Sequence, residues 1–169
     1  MPDEGVHGLK LVLAGDRSEA AWTPHGYIHP ELRLGFSFEN RGDRPLKLDL
    51  NQLAEKGRLR LDLSFDGERI ESTPRMDRIP SAVPATAERV RTIDPGGSLE
   101  WTRDMYGHVF TLPEFGAQVF LFEKPGTYRI RAIYTKERVN PQNAFEAGCW
   151  VGSVVSNEIT LEVSPDGGR

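Results

Sequence analysis

Four histidines and one cysteine are the residues of this chain whose types suit metal or nucleophile chemistry. His25-Gly-Tyr-Ile-His29 is the closest pair, and His7 and the Met105-Tyr-Gly-His108 stretch supply further donors. Imidazoles suit zinc or copper, and a thioether tilts a site towards Cu(I). An i, i+4 pair converges on one ion only where the backbone is helical. Gly26 inside the pair, with Pro24 and Pro30 on either side, opposes a helix, so exposed loop histidines are the plainer reading of His25, His29 and His108. Cys149 stands between Gly148 and Trp150 with no base spaced to activate it, which reads as a buried, inert thiol. The sequence carries no Gly-x-Ser-x-Gly elbow, phosphate loop, His-Glu-x-x-His or Cys-x-x-Cys. Carboxylates such as Asp62 and Asp66 are ordinary for a solvated strand edge. Neither an enzyme nor a cofactor is expected.

Aromatic residues give a second kind of candidate. Trp22, Tyr27, Tyr106, Phe110 and Phe115 fall in segments without clean strand alternation. Rings exposed there would form a contact surface for a protein, with carbohydrate as the alternative partner. The competing reading folds those loops back and buries the rings as satellite clusters. Arg41-Gly42-Asp43 spells an integrin-binding tripeptide, but it is also an ordinary turn composition. Arg129 and Arg131 sit two apart and read as solvent-facing charges on one strand rather than a nucleic-acid site.

The elements that would position these residues are strands. The 169 residues include 17 glycines and 12 prolines, which suits a chain with many turns and enough length for a proper core. A formal net charge of −4 argues against a general nucleic-acid binder, which needs a basic excess to displace counterions. One cysteine excludes an intrachain disulfide. No apolar run approaches the ~20 residues of a membrane span. The N-terminus lacks the basic and apolar regions of a signal peptide, leaving two expectations open: a cytosolic protein, or an exported one whose signal lies outside this sequence.

Alternation with period two recurs along the chain. Leu9, Leu11 and Leu13 open it; Leu32, Leu34, Phe36 and Phe38 form the cleanest run, and Leu46, Leu48 and Leu50 follow a turn at residues 40–45, which predicts a hairpin. Residues 51–56 suit a single helical turn. Leu59, Leu61, Leu63 and Phe65 lead into Asp66-Gly67, a strong hairpin signal. A weak strand at residues 89–93 precedes the turn Asp94-Pro-Gly-Gly97, and Leu99 and Trp101 begin the next strand. Pro125-Gly126 sets a turn before the strand of Tyr128, Ile130 and Ala132, and residues 150–163 read as the last strand, which closes the fold. Tyr128 at a strand entrance can bury its ring and bond backbone through its hydroxyl, as a tyrosine corner or as an ordinary core tyrosine. Residues 71–88 and 136–148 are two long stretches without periodicity, and loops of that length are contact-surface candidates.

The Leu34-Gly-Phe-Ser-Phe-Glu-Asn-Arg-Gly-Asp-Arg-Pro-Leu46 segment, Ile93-Asp-Pro-Gly-Gly-Ser-Leu99, Pro125-Gly-Thr-Tyr-Arg-Ile-Arg-Ala132 and Trp150-Val-Gly-Ser-Val-Val-Ser-Asn-Glu-Ile159 together resemble bacterial immunoglobulin-like (fibronectin-III-like) accessory domains. The middle two are also similar to the bacterial intracellular proteinase-inhibitor family. The resemblance covers most of residues 31–163 and rests on turns and core positions; it carries no catalytic residue. It implies an all-β fold: a single immunoglobulin-like antiparallel β-sandwich with two long loops, one domain over residues 1–169 with its core at about 9–163. The function it implies is a non-catalytic binding or adaptor domain. The alternatives are a proteinase inhibitor acting through a long loop, and a small metal-binding protein using the loop histidines.

Overall fold

In the computed structural model, residues 5–22, 28–30, 32–49, 59–71, 73–75, 90–106, 109–112, 116–119, 122–139 and 141–165 are described. They form strands, turns and irregular segments, with no helix among them. No helix of the described residues is therefore long and apolar enough to cross a membrane. The helical turn expected at residues 51–56 lies outside the described residues.

The alternating segments become strands for the reason alternation predicts: every second side chain can be buried while its neighbours stay wet. In β1 (Leu9–Gly15) the buried residues are Leu9, Leu11 and Leu13, and in β4 (Leu32–Asn40) they are Leu32, Leu34, Phe36, Phe38 and Asn40. These two pair antiparallel, with Leu11 opposite Phe38. The sheet continues through β10 (Ser98–Tyr106), β11 (Val109–Leu112), β12 (Gly116–Val119) and β8 (Thr73–Arg75), in the order β1-β4-β10-β11-β12-β8. The second sheet is built on β13 (Gly126–Lys136), which pairs with β6 (Leu59–Phe65) on one edge. On its other edge β13 pairs with β14 (Gly152–Val155) and then β15 (Ile159–Ser164). β7 (Glu68–Ile70) extends the β6 side, and β2 (Glu19–Trp22) and β3 (Ile28–His29) extend the β15 side. Buried side chains of both sheets form one cluster, and Phe38 meets Tyr134 edge-on at 5.1 Å between them.

Three expectations need correction. The chain turns after β4, but β5 (Leu46–Asp49) does not pair back onto it as a hairpin. Both edges of β4 are already occupied, by β1 and β10, so β5 crosses to β9 (Val90–Ile93) and forms a separate two-stranded sheet. Buried Asn40 directs this departure: its side-chain amide donates to the carbonyls of Arg44 at 2.7 Å and Ile93 at 2.8 Å. Next, the sheets are antiparallel except for one pair, because β2 lies parallel to β15. The chain switches sheets at residues 16–18 while keeping its direction, and so enters beside a strand running the same way. Finally, residues 150–163 are two strands rather than one. Between them Ser156 exchanges hydrogen bonds with Ala132, and the Asn157 side chain reaches β1, accepting from the Leu13 N–H at 2.8 Å and donating to its carbonyl at 2.9 Å.

The turn chemistry behaves as its residues dictate. Asp66 and Gly67 both take positive φ, 50° and 83°, the two-residue hairpin geometry. Gly96 at φ 77° follows Pro95, and the Gly97 N–H closes the turn on the Asp94 carbonyl at 2.8 Å. Tyr128 is buried at the entrance to β13, and its hydroxyl donates to the Lys124 carbonyl at 2.6 Å. Its ring packs against Phe65 and Phe122, each 4.8 Å away.

Candidate functional site

The period-two pattern of β13 does not stop at its last apolar residue. Tyr128, Ile130, Ala132 and Tyr134 face inward, and the next inward position is Lys136, only 1% exposed. An ammonium so placed is costly unless it is paired and hydrogen-bonded. Lys136 Nζ donates to Asp49 Oδ2 at 2.9 Å and to Glu146 Oε1 at 3.0 Å, and both carboxylates are buried. Asp49 comes from β5 and Glu146 from the segment following β13, so one cation ties a loop to a different sheet. The Tyr134 hydroxyl donates to the Asp49 backbone carbonyl at 2.8 Å.

Further bonds hold the same segment. Lys47 Nζ donates to the Ala147 carbonyl at 2.9 Å, and the Trp150 N–H donates to the Lys47 carbonyl at 2.8 Å. Inside the loop, the Phe145 N–H meets Asn143 Oδ1 at 3.0 Å, and the Glu146 and Cys149 N–H groups donate to Asn143 and Glu146 carbonyls. Residues 141–148 therefore run through turns whose base is fixed and whose outer side is open. Phe145 projects there, 48% exposed, the one aromatic ring among the large exposed apolar side chains of the described residues. A braced loop presenting an aromatic ring is suited to contact with a partner surface.

The residues singled out by sequence are placed differently. Trp22 lies on β2, half-buried against the core, and its indole N–H donates to the Phe122 carbonyl at 2.7 Å. It is a packing residue with a satisfied donor rather than an exposed loop ring. Tyr106 and Phe110 fall on strands, β10 and β11, where Tyr106 pairs with Val109 and Phe110 with Met105. Residues 103–116 lack alternation, yet their described part holds the end of β10 and β11, which pair antiparallel with Met105 opposite Phe110 and Tyr106 opposite Val109. Tyr27 and Phe115 lie outside the described residues.

His25 and His108 also lie outside the described residues, and His29 is on β3 opposite Ala21. His7 is exposed in a turn at φ 48°. Among the described residues no group of three or more His, Cys, Asp or Glu side chains is placed to hold a metal ion. Cys149 is buried, as its neighbours implied, with its thiol 3.7 Å from the Phe145 carbonyl. Burial, reinforced by the nearby Asp49 carboxylate, pushes that thiol above its ordinary range, which suits packing and not nucleophilic attack. Arg41 of the Arg-Gly-Asp turn pairs with Glu39, and its N–H donates to the Gly8 carbonyl at 2.7 Å.

Phe145 was missed because it lies outside the aromatic-rich segments, and the only signal for it was its position inside the second long aperiodic stretch. No protein-family model and no curated protein matches the chain.

Proposed function

We propose that this chain is a non-catalytic, immunoglobulin-like binding domain that engages a protein partner through residues 137–148. The strand orders support the fold reading. β1-β4-β10-β11 correspond to strands A, B, E and D of an immunoglobulin sandwich, and β15-β13-β6 to G, F and C. The sheet switch from β1 to β2 and the Tyr128 hydroxyl bond four residues upstream, at the start of the F-equivalent strand, fit the same scheme. The observation that carries the function is the exposed Phe145 on a loop braced by the buried Lys136 ion pairs. Bracing lowers the ordering cost of association, so a single ring can contribute more to affinity there than on a mobile loop. Residues 71–88 carry less of the reading, since their described part supplies β8 to a sheet edge.

The test is cross-linking capture with the intact protein and with Phe145→Asp, folding being verified by unchanged Tm. A partner retained by the native protein and lost by the variant supports the reading; an identical set of captured partners removes it. A second reading, proteinase inhibition through the same loop, is favoured by the same bracing. It ranks below, because residues 141–148 run through turns and not through an extended segment that a protease cleft would grip. Serine, cysteine and metalloproteases left fully active by stoichiometric protein at micromolar concentration would eliminate it.

A further inference from the structure

On the solvent face of the β13 sheet, pairing register sets three polar residues in one row. Arg129 on β13 is opposite Ser64 on β6, and Ser64 is opposite Arg69 on β7. Cross-strand partners share a face, so the two arginine stems stand on either side of a serine, about 9.6 Å apart across two strand spacings. The neighbouring pair places Arg131 opposite Asp62. These side chains, with Glu158, line a cleft of about 230 Å³. Gly67 leaves the rim at the β6–β7 turn open, since a Cβ there would meet nothing within 4 Å.

Carboxylates orient the guanidiniums without consuming them. Asp62, only 12% exposed, forms an ion pair with Arg69 Nε at 2.9 Å through one oxygen and accepts Arg131 Nη2 at 2.6 Å on the other. Glu158 accepts Arg129 Nη1 at 2.8 Å. Arg69 is thus tethered through Nε and keeps both terminal nitrogens, while Arg129 keeps Nη2 and Nε. Both side chains remain more than half exposed, at 58% and 59%. Between them the Ser64 hydroxyl offers a further donor.

We propose that the Arg129–Ser64–Arg69 row is a binding site for a carboxylate group. The planar fork of arginine matches the two oxygens of a carboxylate, and fixing its far edge leaves the near edge pre-oriented. The charge balance selects the ligand class. Three guanidiniums against two carboxylates leave one positive charge (3 − 2 = +1) in the cleft, which a monoanion neutralises and a phosphate dianion overshoots. The site lies on the N-terminal half of β13, away from the loop that follows its C-terminal end, and does not depend on that loop's role.

The experiment is an NMR titration of the intact protein with sodium acetate at constant ionic strength, chloride being the balancing anion. Amide and arginine Nε–H signals of residues 64, 69 and 129 are followed. Saturable shifts confined to the row are expected. Arg129→Gln should weaken binding about tenfold, the effect of one lost charge-assisted hydrogen bond. Arg69→Lys, which keeps the charge and removes the fork, should weaken it severalfold, with Tm unchanged in both. Inorganic phosphate at pH 8 should bind more weakly than acetate, and an acidic sugar such as glucuronate should bind at the same signals if the carboxylate comes from a glycan. Linear shifts shared with chloride, tighter binding of phosphate, or variants that titrate like the native protein would each overturn the proposal.

Discussion

Two sets of ion pairs, each of carboxylates with a basic side chain, differ sharply in burial in this molecule. Asp49, Lys136 and Glu146 are buried, whereas Arg69, Arg129 and Arg131 stand about half in water on the outer sheet face. Within the core the low dielectric makes each partner indispensable to the other, and the network fixes one loop position. Water and salt weaken the pairs outside, leaving guanidinium donors free for a ligand. Burial, more than the number of charges, decides whether an ion pair serves architecture or recognition.

The sharpest check is removal of the central cation. Lys136→Met leaves two buried carboxylates without their counter-ion and should cost about 3–5 kcal/mol, read by urea denaturation. Converting Asp49 and Glu146 to Leu in the same chain should recover most of that loss, because an apolar replacement of a whole buried network is near neutral. A Lys136→Met protein of native stability would erase the distinction between the two sets. On the outer face, a double-mutant cycle of Arg131→Gln with Asp62→Asn should give a coupling below about 1 kcal/mol. Raising NaCl from about 0.1 M to about 1 M, which shortens the screening length from about 10 Å to about 3 Å, should abolish that coupling and leave the Lys136 effect intact. Phe145→Ala, exposed on the braced loop, should change stability by no more than about 0.5 kcal/mol.

The smallest effect concerns alkaline pH. Burial raises the Cys149 thiol above its ordinary value of 9.0, so the folded state holds that proton more tightly than the unfolded state. The corresponding stability is fully present below pH 9.0 and is lost as pH rises through the raised folded value. Cys149→Ala should flatten the alkaline limb of a stability–pH curve, and the native thiol should resist iodoacetamide until the protein unfolds. Rapid alkylation at neutral pH would contradict the burial.

Much of the sheet structure was legible because alternation reports burial directly. Leu9 to Leu13, Leu32 to Phe38, Leu59 to Leu63 and Tyr128 to Ala132 all bury the residues their pattern nominates, with Phe65 half-buried at the strand end, and Asp66-Gly67 and Pro95-Gly96 turn as their φ preferences require. Pairing was less legible. Nothing local to Leu46–Asp49 indicates that its partner is Val90–Ile93, because that choice depends on which edges of β4 are already taken. The Lys136 network needs three residues separated by up to 97 positions in sequence (146 − 49), and a charged residue at an inward position reads as a strand end. The Arg129–Ser64–Arg69 row required register: a slip of one residue would have put Ser64 on the other face.

Asn157 has a consequence for how this protein behaves in a crowded solution. β1 is the outermost strand of its sheet, the position at which an edge can template the addition of another chain, and Val6 already pairs with Leu9 at its start. The side-chain amide of Asn157 occupies the Leu13 N–H and carbonyl in the way a neighbouring strand would. One residue thereby blocks the middle of an edge that would otherwise be open to intermolecular pairing. Asn157→Ala should leave a protein that folds yet associates further on concentration than the native chain, and light scattering would reveal it well before any loss of secondary structure.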